Sequence, residues 1–189
     1  LLTGGAGFIG SHTAVALIEN GFDPIIVDDF RNSEPFVIEN IEKIVGKKIT
    51  FYATDIGNKK EITEILQKEN PIGVIHFAAD KAVNESVVNP MKYYRNNVLN
   101  LINLLEVIEK TKINSFVFSS SCTVYGMPDK IPVKETALIK PAFSPYGYTK
   151  QVVEKILTDF FKTKPNSSLT LLRYFNPIGA HPSGLIGEL

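Results

Sequence analysis

Tyr146 and Lys150 lie four residues apart in a segment whose apolar spacing predicts a helix. Residues i and i+4 share one face of an α-helix, so the two side chains are expected to lie side by side. A phenol titrates at about 10, which is too high for a base at neutral pH. A neighbouring ammonium favours the phenolate and lowers that pKa. The spacing therefore predicts a tyrosine acid/base with a lowered pKa, and the alternative is an incidental pair on a helix surface.

A cluster of hydroxyl side chains precedes this pair. The segment Ser119–Tyr125 reads Ser-Ser-Ser-Cys-Thr-Val-Tyr and follows an apolar run that predicts a strand. Ligands of open α/β sheets bind outside the carboxyl ends of the strands, so these hydroxyls are expected where a substrate enters. Cys122 has no evident base or metal partner in the sequence, and we interpret it as a packing residue.

The N-terminal stretch Thr3–Ser11 carries glycines at positions 4, 7 and 10, between a strand-like Leu1-Leu2 and a helix-like Ala14–Ile18. Glycine allows a tight turn and close backbone approach, and a helix N-terminus offers free N–H groups to a phosphate. The pattern predicts a phosphate-binding turn made by Gly4, Gly7 and Gly10, although a simple glycine-rich loop is the alternative.

An aspartate ends the second predicted strand, Pro24–Val27, at position 28. An acidic residue about 20 residues after such a turn binds the ribose hydroxyls of a dinucleotide. Its charge repels a 2′-phosphate, so Asp28 favours NAD as the cofactor. Arg31 lies close enough to keep NADP open as an alternative, and a solvated loop carboxylate is the other.

Three further segments follow predicted strands. Asp55-Ile56 is expected near the adenine, although Asp55 is equally consistent with a helix N-cap. The small residues of His76-Phe-Ala-Ala79 let a cofactor approach, and Lys81 can reach a phosphate or a ribose hydroxyl or be an ordinary surface lysine. His76 lies inside an apolar strand and is interpreted as a core histidine.

Strand and helix patterns alternate along the whole chain. The strands are predicted at Ile25–Asp28, Ile49–Ala53, Gly73–Ala78, Ser115–Ser119 and Leu169–Tyr174, and the helices at Ser11–Asn20, Pro35–Val45, Lys59–Lys68, Pro90–Lys110 and Ser144–Lys162. Continuous apolar strands are typical of parallel sheets covered on both faces. We therefore predict an α/β, doubly wound parallel sheet (Rossmann fold) with strand order 3-2-1-4-5-6.

Composition narrows the class of protein. The chain has 189 residues, with 20 basic and 20 acidic side chains, so the balance gives no sign of a nucleic-acid partner. Its single cysteine favours a reducing compartment, which we take to be the cytoplasm. No apolar run is long enough to cross a bilayer, and no residue cluster predicts a metal site. Leu1-Leu2 is short for a buried central strand, so we expect a truncated N-terminus.

With these residues in place, the chain resembles the extended short-chain dehydrogenase/reductase family, and within it the sugar-nucleotide 4-epimerases. The resemblance covers essentially all 189 residues. The segments that carry it are Thr3–His12, Val74–Val83, Glu85–Val87, Tyr93–Asn97, Phe118–Gly126, Ser144–Lys150 and Leu172–Gly184, of which the last (LRYFNPIGAHPSG) is the most specific.

The resemblance implies residue roles position by position. Tyr146 would be the acid/base, Lys150 would bind the nicotinamide ribose and tune Tyr146, and Ser121 would bind the sugar 4-oxygen. Phe8 and Ile9 would contact the pyrophosphate. The rest of the implied NAD site is Asp28, Asp29, Phe30, Arg31, Asn32 and Ser33 at the adenosine ribose, Asp55 and Ile56 at the adenine, Phe77, Ala78, Ala79, Lys81 and Asn96 along the middle, and Phe175 beside the nicotinamide. Asn176 would meet the substrate diphosphate or sugar.

The implied activity is NAD-dependent interconversion of UDP-glucose and UDP-galactose through a transient 4-keto sugar, by a homodimer. Related 4,6-dehydratases carry an acidic pair where this chain has Cys122 and Thr123, which argues against dehydration. The resemblance also predicts an NAD-binding domain at 1–175 and the start of a truncated substrate-binding region at 176–189.

Three departures from the family pattern stand out. Ala79-Asp80 replaces a common Gly-Leu, Tyr148 replaces a common lysine, and the family continues well beyond Leu189. The alternatives are a 4-epimerase for UDP-glucuronate or a UDP-N-acetylhexosamine, a net reductase, and a non-catalytic NAD-binding fragment.

Overall fold

A computed structural model describes residues 1–188. Its core is a six-stranded parallel sheet in the order β3-β2-β1-β4-β5-β6, as predicted. The strands are β1 (Leu2–Thr3), β2 (Ile25–Asp28), β3 (Thr50–Ala53), β4 (Gly73–His76), β5 (Ser115–Ser121) and β6 (Ser168–Tyr174). The prediction of a doubly wound Rossmann sheet is confirmed, and β5 extends two residues beyond its predicted end.

Seven α-helices connect the strands: α1 (Phe8–Glu19), α2 (Phe36–Val45), α3 (Lys59–Glu69), α4 (Val83–Val88), α5 (Pro90–Tyr93), α6 (Asn100–Ile108) and α7 (Pro145–Lys162). A short 3₁₀ turn, Cys122–Tyr125, follows β5. The prediction missed α4, whose six residues are too few for a clear apolar period. Ser144 caps α7 as predicted, since its hydroxyl accepts the Gly147 N–H at 3.1 Å.

The predicted single helix Pro90–Lys110 is wrong in its middle. A π-helical turn, Tyr94–Leu99, separates α5 from α6. Such turns insert one residue into a helix and are frequent at functional sites. Two asparagines, Asn96 and Asn97, lie in this turn.

Apolar side chains fill a layer on each face of the sheet. One layer lies against α3, α6 and α7 and includes Ile62, Leu104, Phe116 and Leu157, all buried. The other lies against α1 and α2 and includes Leu2, Ala14, Ile26 and Ile41. This double cover explains why the central strands read as continuous apolar runs.

All six strands are parallel, so their carboxyl ends meet at one edge of the sheet. The residues that follow β1, β2, β4 and β5 are among those that the sequence analysis predicts to form the site. Strand β1 is flanked by β2 and β4, so the order in which strands are added to the sheet reverses there. Open α/β sheets bind their ligands at this reversal point. In the described part of the chain, no helix combines the length and apolarity needed to cross a membrane.

Candidate active site

A cavity of about 620 Å³ opens at this edge of the sheet. It is large enough for a dinucleotide-sized ligand. With one exception, the predicted site residues line it: Gly4, Gly7, Phe8, Ile9, Gly10, Asp28, Asp29, Arg31, Asn32, Ser33, Asp55, Ile56, Phe77, Ala78, Ala79, Lys81, Asn96, Ser121, Tyr146, Lys150, Phe175 and Asn176.

The exception is Phe30, which does not line the cavity. Its ring meets Phe51 edge-on, 6.4 Å between centroids. Phe30 adopts a left-handed backbone, with φ of 57°. Its contribution to the site is its backbone N–H, which donates to Asp28 at 2.9 Å.

The backbone around the glycine turn is packed so closely that Gly4 and Gly10 leave no room for a side chain. Gly4 has φ of +68°, and a Cβ there would lie 2.6 Å from the backbone nitrogen of Ala78. A Cβ on Gly10 would overlap the carbonyl oxygen of Gly4. Helix α1 begins at Phe8, and Gly7 at its N-cap provides no side-chain hydrogen bond. The first-turn N–H groups therefore remain available to an anion in the cavity.

We expect Gly10→Ala to disrupt this turn, whereas Gly7→Ala does not. The nearest atom to a Cβ on Gly7 lies 3.4 Å away, which is an ordinary contact. Overpacking of a rigid site costs about 1–3 kcal/mol or more. Thermal unfolding of the two variants measures the difference. Equal melting temperatures would show that the turn can widen.

Asp28 is held rigidly beside this turn. Its Oδ2 accepts the backbone N–H of Ala6 at 2.9 Å, and its Oδ1 accepts the Phe30 N–H and the Ser33 hydroxyl, each at 2.9 Å. The carboxylate is buried. These three donors fix its orientation, and Oδ2 keeps a lone pair for a hydroxyl in the cavity.

Arg31 crosses the far end of the cavity. Its guanidinium lies 2.7 Å from Asp29 and 2.9 Å from Asp55, and it donates to Asn96 Oδ1 at 2.7 Å. All three partners also line the cavity. Both terminal nitrogens of Arg31 are therefore engaged within the protein, which disfavours a contact between this group and a phosphate on a ribose.

Asp55 is not a helix cap. Asn58 caps α3, because its side chain accepts the Glu61 N–H at 3.3 Å. Asp55 Oδ1 instead accepts from the Gly57 N–H at 2.7 Å and from Asn100 at 3.0 Å. The cap interpretation is wrong, and the carboxylate faces the cavity.

The segment after β4 holds a buried carboxylate that the sequence flagged as unusual. Asp80 is only 1% exposed. Its Oδ1 accepts from Asn32 at 3.2 Å and lies 3.8 Å from the Lys92 ammonium. Lys81 forms its ion pair with Glu188, at 2.6 Å. Asp80, although adjacent in sequence, is therefore not the partner of Lys81.

Asn97, which the sequence did not single out, holds this segment in place. Its side-chain oxygen accepts the Asp80 N–H at 2.9 Å, and its side-chain nitrogen donates to the Asp80 carbonyl at 3.0 Å. The amide thus pairs with the backbone in both directions. The π-helical turn supplies this anchor and also places Asn96 at the cavity wall.

His76 is a core histidine, as interpreted from the sequence. Its Nδ1 shares a hydrogen bond with the Thr3 hydroxyl at 2.7 Å, and its ring stacks on Phe118. Burial, and then the nearby Lys150 charge, lower the pKa of His76 to about 3. The ring is neutral at physiological pH.

Tyr146 and Lys150 share one face of α7, as predicted, and both line the cavity. The Lys150 ammonium donates to the Ser119 carbonyl at 2.8 Å and lies 5.7 Å from the centre of the Tyr146 ring. Lys150 is 4% exposed. Burial lowers the pKa of Lys150 to about 8, and the Glu154 charge opposes that change.

The predicted lowering of the Tyr146 pKa is wrong for the protein alone. Burial raises the pKa of Tyr146, the Ser121 hydroxyl acts in the opposite direction, and Cys122 adds to the rise. Desolvation of the phenolate therefore outweighs the cation, whose hydrogen bond goes to a backbone carbonyl instead. A cationic ring bound beside the phenol is the remaining source of a lowered value.

Ser121 lies at the end of β5 between the hydroxyl cluster and Tyr146. Its oxygen accepts the Thr123 N–H at 3.2 Å and the Thr123 hydroxyl at 3.0 Å. Those bonds leave the Ser121 proton free to donate into the cavity. Cys122 is a partly exposed free thiol at the cavity wall. Among residues 1–188, no His, Cys, Asp and Glu side chains cluster in a way that could hold a metal ion.

The predicted hydroxyls of Ser119 and Ser120 also line the cavity. Several other wall residues were not singled out from the sequence, and they include Thr54, Tyr174, Pro177, Ile178 and Glu188. Thr54 directly follows β3, so the rule that found Asp55 also points to it. Glu188 lies more than a hundred residues from its partner Lys81, and no local pattern signals that contact.

Known proteins resemble this chain in sequence and in structure. UDP-glucose 4-epimerase of Dictyostelium discoideum is 50% identical over 188 residues, covering 100% of this chain and 54% of the relative. UDP-glucose 4-epimerase from Bifidobacterium longum, solved in complex with NAD+ and UDP, superposes with a TM-score of 0.96 at 44% identity, over 98% of this chain and 56% of that one.

The enzyme of the same name from Stenotrophomonas maltophila, solved with bound NAD and formylated UDP-arabinopyranose, gives a TM-score of 0.95 at 44% identity, over 99% of this chain and 55% of that one. The chain thus spans about half the length of the curated relatives it matches.

The family model for NAD dependent epimerases and dehydratases matches residues 1–189. The cavity, the glycine turn and the Tyr146–Lys150 pair agree with that match. The chain therefore belongs to the NAD dependent epimerase/dehydratase family.

Proposed function

We propose that this chain binds NAD in the cavity. The turn fits a pyrophosphate, because Gly4 and Gly10 leave no room for a Cβ and the first N–H groups of α1 are uncapped. Asp28 fits a ribose diol, and the engaged guanidinium of Arg31 disfavours a 2′-phosphate. Two similar structures, the enzymes of Bifidobacterium longum and Stenotrophomonas maltophila, were solved with NAD bound. When bound, NAD would supply a hydride acceptor that can return the same hydride.

We expect Asp28→Ala to weaken NAD binding by roughly 10- to 100-fold, since hydrogen bonds to a charged acceptor contribute about 1.5–3 kcal/mol. NADP binding should not improve in this variant, because Arg31 stays paired with Asp29 and Asp55. Calorimetric titration of the cofactor-stripped protein with each dinucleotide measures both effects. Asp23→Asn serves as the matched control, because that exposed carboxylate pairs with Lys47 and does not line the cavity. Strong NADP binding by Asp28→Ala would contradict the assignment of Arg31.

For the reaction, we propose 4-epimerisation of UDP-glucose and UDP-galactose through a 4-keto sugar. The observation that carries this proposal is the Tyr146–Lys150 pair beside Ser121 at one end of the cavity. Cys122 and Thr123 supply no carboxylate for an elimination there. The named relatives are 4-epimerases, and the chain is about half identical to them.

In this proposal the side chains of the chain itself move and hold the proton. Ser121 donates to the sugar 4-oxygen, and Tyr146 takes the proton of the 4-hydroxyl as the hydrogen on C4 leaves as hydride, so that the C4–O bond becomes a carbonyl. The Lys150 ammonium binds the nicotinamide ribose and stabilises the phenolate of Tyr146. Tyr146 then returns the proton when the hydride comes back on the other face of the sugar, so the reaction is redox-neutral. Positioned proton transfer accelerates a reaction by roughly 10²- to 10⁴-fold.

The experiment uses the full-length protein with no added cofactor. UDP-galactose is supplied, and the anomeric proton signals are followed by NMR. We expect UDP-glucose to appear, which would demonstrate 4-epimerisation by protein that retains its NAD. No conversion of UDP-galactose after NAD is added would reject this substrate pair, and a panel of UDP-glucuronate and UDP-N-acetylhexosamines would then test the alternatives.

We also propose that the NAD-binding domain ends at Phe175 and that Asn176 begins the substrate-binding region, because Asn176 lies at the cavity wall just after β6. The last residue of the predicted region, Leu189, lies outside the described residues.

The single cysteine supports a reducing compartment, which we take to be the cytoplasm.

A homodimer is proposed from the apolar side chains exposed along α4 to α7. These are Val87, Val88, Met91, Leu99 and Tyr148. Exposed apolar patches of this kind mark interaction surfaces. Light scattering of the full-length protein measures its mass, and a monomer at micromolar concentration would reject the dimer.

A further inference from the structure

Behind Tyr146 and Lys150, helix α7 carries a third buried polar residue on the same face. Glu154 follows Lys150 by four residues and is only 4% exposed. An isolated carboxylate at such a depth is costly unless it is paired and hydrogen-bonded. The partners of Glu154 therefore show what the residue does there.

Both carboxylate oxygens of Glu154 accept hydrogen bonds from residues of β5 and β6. Its Oε1 accepts the Ser120 hydroxyl at 2.5 Å and Arg173 Nε at 2.9 Å, and its Oε2 accepts Arg173 Nη2 at 2.7 Å. The Arg173 guanidinium also donates to the Tyr125 hydroxyl at 3.0 Å. This bidentate pair joins α7 to β5, to β6 and to the 3₁₀ turn.

The same strand end holds Lys150. Its ammonium donates to the carbonyl of Ser119, the residue directly before Ser120. It also lies 4.8 Å from the centre of the Phe118 ring. Within residues 1–188, Ser119 is the one hydrogen-bond acceptor of this ammonium. The carboxylate of Glu154 is then the main charged group of the protein that favours the ammonium form of Lys150.

The titratable groups that act on Lys150 come from β4 and from its own helix. They are His76 on β4 and Tyr146 and Glu154 on α7, and Arg173 on β6 lies behind Glu154 as its partner. His76 is neutral, and Arg173 is positive. Among the described residues in this set, Glu154 supplies the negative charge, and it raises the pKa of Lys150 against the effect of burial.

We propose that Glu154 is a positioning residue that acts through Lys150, keeping its ammonium charged while the pair with Arg173 locks the ends of β5 and β6 against α7. The inference rests on the proposed function, in which Lys150 works as a cation. Glu154 itself does not line the cavity.

The test is a direct titration of Lys150 in the full-length protein. Lysine labelled with ¹³C at Cε is followed by NMR against pH, and the Lys150 signal is assigned by its loss in Lys150→Met. In the wild-type protein the midpoint is expected at about 8. In Glu154→Gln it should fall by about one pH unit or more, because an opposite charge has been removed.

Two control variants separate charge from structure. Glu154→Asp retains the charge and should keep the midpoint near that of the wild type. Ser120→Ala removes one hydrogen bond to Glu154 without changing any charge, and its midpoint should also stay. The alkaline limb of the kcat/KM profile should move to lower pH in Glu154→Gln by the same amount as the Lys150 midpoint.

An unchanged Lys150 midpoint in Glu154→Gln would overturn the proposal. If that variant fails to fold because Arg173 is left unpaired, Glu154→Gln combined with Arg173→Met removes both charges. The midpoint of the double variant should lie below that of Arg173→Met alone, in which Glu154 keeps its charge, and equal midpoints would equally overturn the proposal. The titration needs no substrate, so it stands apart from any failure of the proposed reaction.

Discussion

Tyr146→Phe is expected to reduce the conversion of UDP-galactose by roughly 10²- to 10⁴-fold, because the change removes the one hydroxyl that the proposal uses as acid and base. The ring keeps its place on α7, including its edge-on contact with Tyr93, so the fold is retained. NAD content should also be retained, since the pyrophosphate and ribose contacts lie elsewhere. The measurements are initial rates by NMR, and cofactor absorbance after denaturation.

The matched control is Tyr148→Phe. Tyr148 lies two residues further along α7, is 50% exposed, and contacts Tyr94 away from the cavity. Its hydroxyl should be dispensable for turnover. Turnover by Tyr146→Phe within a few-fold of the wild type would remove Tyr146 from its proposed role.

Lys150→Met is expected to lose activity and to gain stability. At neutral pH the wild-type protein buries a charged ammonium whose pKa has fallen from 10.5 to about 8. That difference corresponds to about 3 kcal/mol of destabilisation by the charged form. Methionine fills a similar volume without a charge, so the free energy of unfolding should rise by about 1–3 kcal/mol. Turnover should fall at least about a hundredfold, with the loss of the cation.

The stability difference between Lys150→Met and the wild type is expected to change with pH. Below about pH 8, Lys150 is charged in both states and the full cost of burial is present. Between about 8 and 10.5 the unfolded chain binds the proton and the folded chain releases it, so the stability of the wild type rises with pH. The advantage of Lys150→Met should therefore shrink over this range.

Urea denaturation at pH 7 and at pH 10 measures the advantage. Lys155→Met is the control, because that lysine is 72% exposed on the same helix and pairs only with Asp159 at the surface. A Lys150→Met protein less stable than the wild type at pH 7 would show that the buried charge is more than compensated by its contacts.

The sheet and the position of the site followed from the sequence because their signals are local. The continuous apolar strands, the glycine turn and Asp28 can each be recognised from a few residues that are adjacent in sequence. The parallel order of strands then brings together groups that the sequence keeps far apart, such as Gly4 and Ala78. The Tyr146–Lys150 pair was readable because helical spacing alone fixes its geometry.

The parts that the sequence did not reveal depend on partners distant in the chain. The π-helical turn has no periodic signature, and the backbone pairing of Asn97 with Asp80 is visible only in three dimensions. The pKa of Tyr146 was misjudged for a related reason. Its direction is set by the depth of burial, which neither the motif nor the charge of Lys150 discloses.

The hydrogen bond from the Ala6 N–H to Asp28 links the phosphate-binding turn to the ribose acceptor within the protein itself. Both surfaces therefore take their final shape during folding, and a dinucleotide meets a preorganised site. Little conformational entropy remains to be lost on binding, which is the usual route to slow dissociation. The proposed reaction recovers its hydride within each turnover and so needs a long residence time of the cofactor, to which this hydrogen bond contributes.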